Sequence, residues 1–169
     1  MALPDLAEQV ATLYARVGGK AYQLALVLTG ERTSAEDVVQ EAFLRLVGRI
    51  EELEEPGALD AYLLRAVRNL ALNHQRKLEA GARAVEARAE EPLLEPAPGA
   101  VGAEPDERTA LERALRELPP EQREVVHLRV WEGLSFREVA ERTESPLGTV
   151  HSRYRYAMER LRALLGRAP

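Results

Sequence analysis

The sequence predicts an all-α protein built as two small helical domains joined by a flexible acidic linker. Three observations lead there. Ala, Leu, Glu and Arg, all strong helix formers, dominate, and Ile50 is the only isoleucine. Apolar residues recur at spacings of three and four rather than two. One stretch, from Glu79 to Glu107, abandons that period for proline, glycine and acid, as in Glu90-Glu91-Pro92, Glu95-Pro96-Ala97-Pro98-Gly99 and Gly102-Ala103-Glu104-Pro105. Such a composition cannot build a core and makes an extended tether. The expected division is a domain over 1–79, a linker over 80–107 and a second domain over 108–169.

The 169 residues include no cysteine and three histidines, His74, His127 and His151, so neither a disulfide framework nor a multi-histidine metal centre is expected. No apolar run approaches the roughly 20 residues of a membrane span. The start, Met1-Ala2-Leu3-Pro4-Asp5, carries neither the basic nor the apolar block of a signal peptide, so the expected location is the cytoplasm. The net charge of -5 conceals an asymmetry: residues 1–78 carry -2, 79–108 carry -5 and 109–169 carry +2. Two basic islands stand in this acidic chain. One holds Arg65, Arg68, Arg76 and Lys77; the other, 146–169, holds five arginines against Glu159 alone. Localised polyanion contacts are one reading of these islands and plain solvated helix faces the other.

The elements follow in order. Helices are expected over 5–28 and 34–50, the second capped by Ser34, with Glu36 and Asp37 in its first turn. In that helix Val38, Val39, Ala42, Phe43 and Leu46 point inward. Asp37 and Glu41 stand one turn apart beside Gln40, and like charges so placed cost an isolated helix a few tenths of a kcal/mol. A basic partner would offset that cost; a solvated acidic face is the alternative. A third helix, 57–78, turns Ala61, Leu64, Val67 and Ala71 to the core. Asn69 and Asn73, mediocre helix formers, sit mid-helix one turn apart among Arg65, Arg68, Arg76 and Lys77. Side-chain amides donate to and accept from base edges, and unpaired strands expose such edges on a basic surface. Buried amides bridging two helices are the competing reading.

Beyond the linker, helices are expected over 107–117 and 120–131, separated by Pro119-Pro120. Trp131 with Leu128 and Phe136 belongs to the core. Helix 135–142 opens on the capping box Ser135-Phe136-Arg137-Glu138, and helix 146–165 follows Ser145 as cap, with Pro146 at its first position. Small Ala140 permits a close crossing. Phe136, Val139 and Ala140 on the first helix, and Leu147, Val150 and Tyr154 on the second, face inward. This is the pattern of a helix-turn-helix, whose second helix presents its N-terminal residues to the major groove. Thr149, His151, Ser152 and Arg155 project there, with Arg155 able to pair bidentately with guanine. Arg153 and Arg160 suit the phosphate backbone.

These blocks resemble the extracytoplasmic-function (ECF) group of bacterial sigma factors. One block is Ala35-Glu36-Asp37-Val38-Val39-Gln40-Glu41-Ala42-Phe43-Leu44-Arg45-Leu46 followed by Tyr62-Leu63-Leu64-Arg65-Ala66-Val67-Arg68-Asn69-Leu70-Ala71-Leu72-Asn73. The other is Leu118-Pro119-Pro120-Glu121-Gln122-Arg123, then Gly133-Leu134-Ser135-Phe136-Arg137-Glu138-Val139-Ala140 and Gly148-Thr149-Val150-His151-Ser152-Arg153. The resemblance implies a promoter-specificity subunit, without catalysis of its own and without cofactor or metal. It implies docking of Asp37, Gln40 and Glu41 on core RNA polymerase, on a β′ coiled coil, with the β subunit also engaged. It implies capture of the minus-ten strand by Arg65, Arg68, Asn69, Asn73, Arg76 and Lys77, and reading of the minus-35 duplex by Thr149, His151, Ser152, Arg153 and Arg155. Promoter DNA, core polymerase and an anti-sigma protein are the implied partners; membrane insertion is not. The acidic linker would thread the polymerase as a mimic of nucleic acid. The chain departs from the family in its acidic loop Glu51-Glu52-Leu53-Glu54-Glu55-Pro56-Gly57, in Tyr62 where tryptophan is common and in His151 where arginine is common. A free-standing, dimeric helix-turn-helix repressor or activator explains 135–165 as well, but not the acidic helix.

Overall fold

The computed structural model describes residues 6–53, 55, 57–81 and 105–166. The heart of the expected linker, 82–104, lies outside these residues. Every regular element among them is helical: α1 (Leu6–Thr29), α2 (Arg32–Val47), a 3₁₀ turn (Ile50–Glu52), α3 (Ala58–Gly81), α4 (Pro105–Arg116), α5 (Pro120–Val126), a π turn (His127–Trp131), α6 (Phe136–Thr143) and α7 (Leu147–Leu164). They group into two compact units, α1–α3 and α4–α7.

In the first unit each helix packs on the other two. Leu13, Val17, Ala21 and Leu28 of α1 meet Ala35, Ala42 and Leu46 of α2 and Leu63, Val67 and Ala71 of α3, all buried. Alanines at these crossings let the backbones approach, and fully burying a leucine such as Leu63 contributes about 1.5–3 kcal/mol. The second half of α1, Leu24 to Thr29, is buried on every side, as suits the central rod of a small bundle. Gly30 ends it: its amide bonds Leu26 O at 2.8 Å and its φ of 73° lies in the left-handed region where a side chain would be strained.

The start of α2 corrects the expectation. The helix begins at Arg32, with Glu31 as the flanking residue, and Ser34 lies buried inside its first turn. Ser34 Oγ donates to Glu31 Oε2 at 2.6 Å instead of capping the backbone. In α3 the buried set is Leu63, Val67, Ala71 and Leu72. Leu63 thus takes the place expected of Ala61, which is exposed, and Leu64 is half-buried. The larger side chain gains more from burial, and it sets the roll of the helix.

The second unit centres on Val125, Leu128, Val139 and Val150, with Leu134, Phe136, Ala140 and Tyr154 packed against them. Pro120 opens α5 after Pro119, as the paired prolines imply. The expected single helix over 120–131 changes pitch at His127: Glu132 N reaches back to His127 O at 3.2 Å, five residues earlier. Half-buried Trp131 lies with its ring 6.3 Å from that of His127. Arg123, Glu124 and His127 are buried with the valines between them. Desolvation, then the neighbouring Arg116, pushes the Arg123 guanidinium down to about 10, and its Nη2 donates to Leu118 O at 3.2 Å.

The expected capping box is formed: Glu138 N donates to Ser135 Oγ at 3.2 Å and Ser135 N donates to Glu138 Oε2 at 2.7 Å. The bond from the Ser135 backbone, then its hydroxyl, holds the Glu138 carboxyl below its usual range. A lowered folded-state value means the stabilisation is complete above the ordinary carboxylate range and is lost as pH falls through the lowered value. Glu138→Gln is therefore expected to flatten the acid limb of stability in this unit. Urea midpoints at pH 7 and pH 3 check it, and an unchanged difference between the two would contradict it.

Candidate nucleic-acid interface

Three surfaces carry the residues singled out in the sequence. The first is on α2. Its inward residues Val38, Val39, Ala42 and Leu46 are buried, which turns Glu36, Asp37, Gln40 and Glu41 to solvent. Arg45 Nη2 donates to Glu41 Oε1 at 2.5 Å, a single-turn ion pair of small net worth because both groups are exposed. Beside this acidic edge lies a feature absent from the sequence reading. Leu6, Val10 and Tyr14 of α1, with Phe43, Leu44 and Val47 of α2, line an open apolar groove of about 950 Å³, edged by Glu36 and Gln40. Leu44 is 68% exposed and Tyr14 61%. The spacing of Gln40, Leu44 and Val47 was the available signal: an apolar strip continues the polar face along the helix.

The second surface is α3. Arg65, Asn69, Asn73 and Arg76, three or four residues apart, share the face opposite Val67 and Ala71, with Lys77 beside them. Asn69 and Asn73 are exposed, so they do not bridge helices through buried amides. Arg76 Nη1 donates to Asn73 Oδ1 at 3.3 Å, and Arg68 is half-buried. The acidic segment before α3 is partly a 3₁₀ turn. There Arg49 Nε donates to Glu52 Oε2 at 3.1 Å, and the guanidinium lies 5.8 Å from the Tyr62 ring centre. Arg16 of α1 pairs with Asp60 at the start of α3, its Nε donating to Oδ2 at 3.1 Å.

The third surface is the helix pair α6–α7. Val139 and Val150, both fully buried, fix the crossing. Glu144 turns the chain between them in the left-handed region, at φ 51° and ψ 38°. Pro146 stands at the helix edge and α7 begins at Leu147, so Ser145 is not the expected cap. Its hydroxyl instead donates to Thr143 O at 3.2 Å and accepts from Arg153 Nη1 at 3.0 Å. Arg153, expected at the phosphate backbone, thus braces the turn. Leu147, expected inside, is 42% exposed, because Val150 and Tyr154 already fill that face. His151 is exposed yet its ring centre lies 4.3 Å from that of Phe136, which orients it. Ser152 Oγ donates to Gly148 O at 3.0 Å. Arg155 is exposed, 3.9 Å from Glu159 Oε1 and 4.8 Å above the Tyr156 ring. Thr149 is half-buried. Among the described residues, no group of His, Cys, Asp and Glu is placed to hold a metal ion, and no helix is long and apolar enough to cross a membrane.

A helical unit with an acidic, groove-bearing edge and a basic helix, followed by a helix-turn-helix unit, defines a two-part helical DNA-binding protein. Comparison with known proteins makes this specific. The chain matches the family models Sigma-70 region 2 over residues 13–80 and Sigma-70 region 4 over residues 108–161. It is 34% identical over 152 residues to the ECF RNA polymerase sigma factor SigE of Mycolicibacterium smegmatis, covering 88% of this chain and 58% of that protein. It is 35% identical over 135 residues to the RNA polymerase sigma-E factor of Streptomyces coelicolor, covering 80% of this chain and 73% of that one. The crystallised sigma factor RpoE of Bartonella quintana, solved with the anti-sigma factor NepR, shares the fold at a TM-score of 0.69, with 24% identity and 94% and 98% of the two chains covered. The chain belongs to the sigma-70 family, in its ECF group.

Proposed function

We propose that this protein is a promoter-specificity subunit of bacterial RNA polymerase that acts in the cytoplasm and performs no chemistry itself. The observation that carries the reading is the coexistence, in one chain, of an outward acidic edge on α2 and an outward basic helix-turn-helix. A free-standing repressor has no use for the first. Asp37, Gln40 and Glu41 form the charged half of the polymerase contact, and the groove between α1 and α2 its apolar half. The occupant that fits is a basic, amphipathic coiled coil, such as that of the β′ subunit. Arg65, Asn69, Asn73, Arg76 and Lys77 hold the melted minus-ten strand. Arg155, Ser152, Thr149 and the ring-oriented His151 face the minus-35 duplex, where Arg153 secures the turn that aims them. The residues between α3 and α4, 82–104, join the two DNA contacts. An anti-sigma protein, of the kind crystallised with the Bartonella relative, would act by covering these same faces.

Each DNA face is small, so each should bind weakly alone. Tethering both through polymerase raises the effective concentration of the second contact, and gains of about 10²–10⁴ are typical. In gel shifts at physiological salt, the free chain is expected to leave promoter DNA unbound while the complex with core polymerase retains it. Tight, specific retention by the free chain, above all on a palindromic site, would favour the repressor reading instead.

A further inference from the structure

The core of the first unit does not hold the whole of α3. Its buried residues are Leu63, Val67, Ala71 and Leu72. Beyond Leu72 only Leu78 supplies apolar burial, and that is partial. Yet Asn73, Arg76 and Lys77, three of the five residues proposed to hold the strand, lie in this outer part. Something other than apolar packing must fix its roll.

Two polar side chains do so. His74 Nε2 lies 3.0 Å from Ser34 Oγ, and Ser34 Oγ lies 2.6 Å from Glu31 Oε2. The carboxylate of Glu31 can only accept, so the single hydroxyl proton of Ser34 goes to it. The Ser34 oxygen then accepts from His74, which fixes the proton of the imidazole on Nε2. One residue on, Gln75 Nε2 donates to Thr29 O at the end of α1. Ser34 is buried, His74 half-buried, and Thr29 buried, so these bonds are shielded from competing water. Ser34 also precedes Asp37 by one turn of α2. A single chain of side chains therefore links the polymerase-docking helix to the strand-reading helix.

We infer that Glu31, Ser34 and His74 form a positioning clasp that fixes the outer half of α3, and with it Asn73, Arg76 and Lys77, against the docking helix. His74 is a positioning residue: it acts on the strand through its neighbours and not by contact. The inference rests on the sigma-factor reading, and its test separates the two.

The test uses the full chain with bacterial core polymerase. The probe is a fluorescein-labelled single strand bearing the minus-ten sequence that the wild-type complex selects from a randomised pool. His74→Ala and Ser34→Ala are each expected to lower affinity for that strand about tenfold, the equilibrium equivalent of one well-made shielded hydrogen bond. Affinity for core polymerase should stay within about twofold, and the double variant should lose no more than either single one, because both break one chain. His74→Gln, which keeps a donor at similar reach, should return strand affinity to within about twofold of wild type. Unchanged strand affinity in His74→Ala overturns the clasp. So does equal loss in His74→Ala and His74→Gln, or a parallel fall in strand and core affinity, which would mark a general loss of structure. Failure of the wild-type chain to bind core polymerase overturns the underlying reading as well, and is seen before any variant is made.

Discussion

Replacing Asp37 and Glu41 together by lysine is expected to weaken binding to core RNA polymerase by at least about a hundredfold, while the chain stays folded. Both carboxylates are exposed on α2, whose buried face is formed by Val38, Val39, Ala42 and Leu46. Reversing them removes two attractive charges and presents two repulsive ones to a basic partner. Like charges facing each other across an interface cost several kcal/mol, and about 2.7 kcal/mol is already a hundredfold. Within the helix the change is milder. The Glu41–Arg45 pair becomes a repulsion at one turn's spacing, worth a few tenths of a kcal/mol. Equilibrium binding to immobilised core polymerase, with thermal unfolding measured alongside, checks both halves. Salt gives a second handle: attraction between exposed charges is screened over about 8 Å at physiological ionic strength. Wild-type affinity should fall with added salt and that of the double variant much less. Loss of the apolar groove, as in Leu44→Ser, should weaken docking and leave its salt dependence as in the wild type.

Val150→Asp is expected to unfold the α4–α7 unit and leave α1–α3 intact. Val150 is fully buried among Val125, Leu128 and Val139. A carboxylate placed there has no partner and loses its hydration, an effect of a kind that costs upwards of about 4 kcal/mol. A domain of this size has only about 5–15 kcal/mol in all. The unit carrying the helix-turn-helix should therefore lose its cooperative transition, while polymerase docking through α2 survives. Circular dichroism would report the partial loss of helix, and transcription would fail on promoters that need the minus-35 element. Val150→Ala, a smaller insult of roughly 1–3 kcal/mol, should lower the midpoint and keep the fold. Full helicity and a native midpoint in Val150→Asp would contradict the packing described.

Much of this was legible in advance because the relevant signals are local. The capping box at Ser135 and Glu138, the paired prolines at 119–120 and the three–four spacing in α2 act over a single turn, and the structure contains them as read, save that Phe43, expected inward, is half-buried and lines the open groove. What was not legible depends on tertiary company. Ser34 looks like a helix cap, but Glu31 and His74 claim its hydroxyl, and the helix starts earlier. Ser145 before Pro146 looks like another, but Arg153 reaches back to it from two turns along α7. Arg123, Glu124 and His127 are buried although nothing in their residue types marks it, because the chain from Arg123 to Leu128 faces its unit's core all round. The switch to π pitch at His127 has no marker in the residues themselves. The apolar groove needs α1 and α2 side by side before Tyr14 and Leu44 can be seen to share it. The site residues fared similarly: outward placement of Asp37 and Arg155 follows from helical period, whereas the exposure of Asn69 and Asn73, the bracing role of Arg153 and the seating of His151 on Phe136 follow only from the fold.

The most direct measurement is size-exclusion chromatography of the purified wild-type chain mixed with bacterial core RNA polymerase. The sigma-factor reading predicts that the chain co-elutes with core in equal stoichiometry, and that the complex, unlike either component, starts transcription at discrete sites. A chain that elutes alone at its own volume, with core polymerase unchanged, would contradict it.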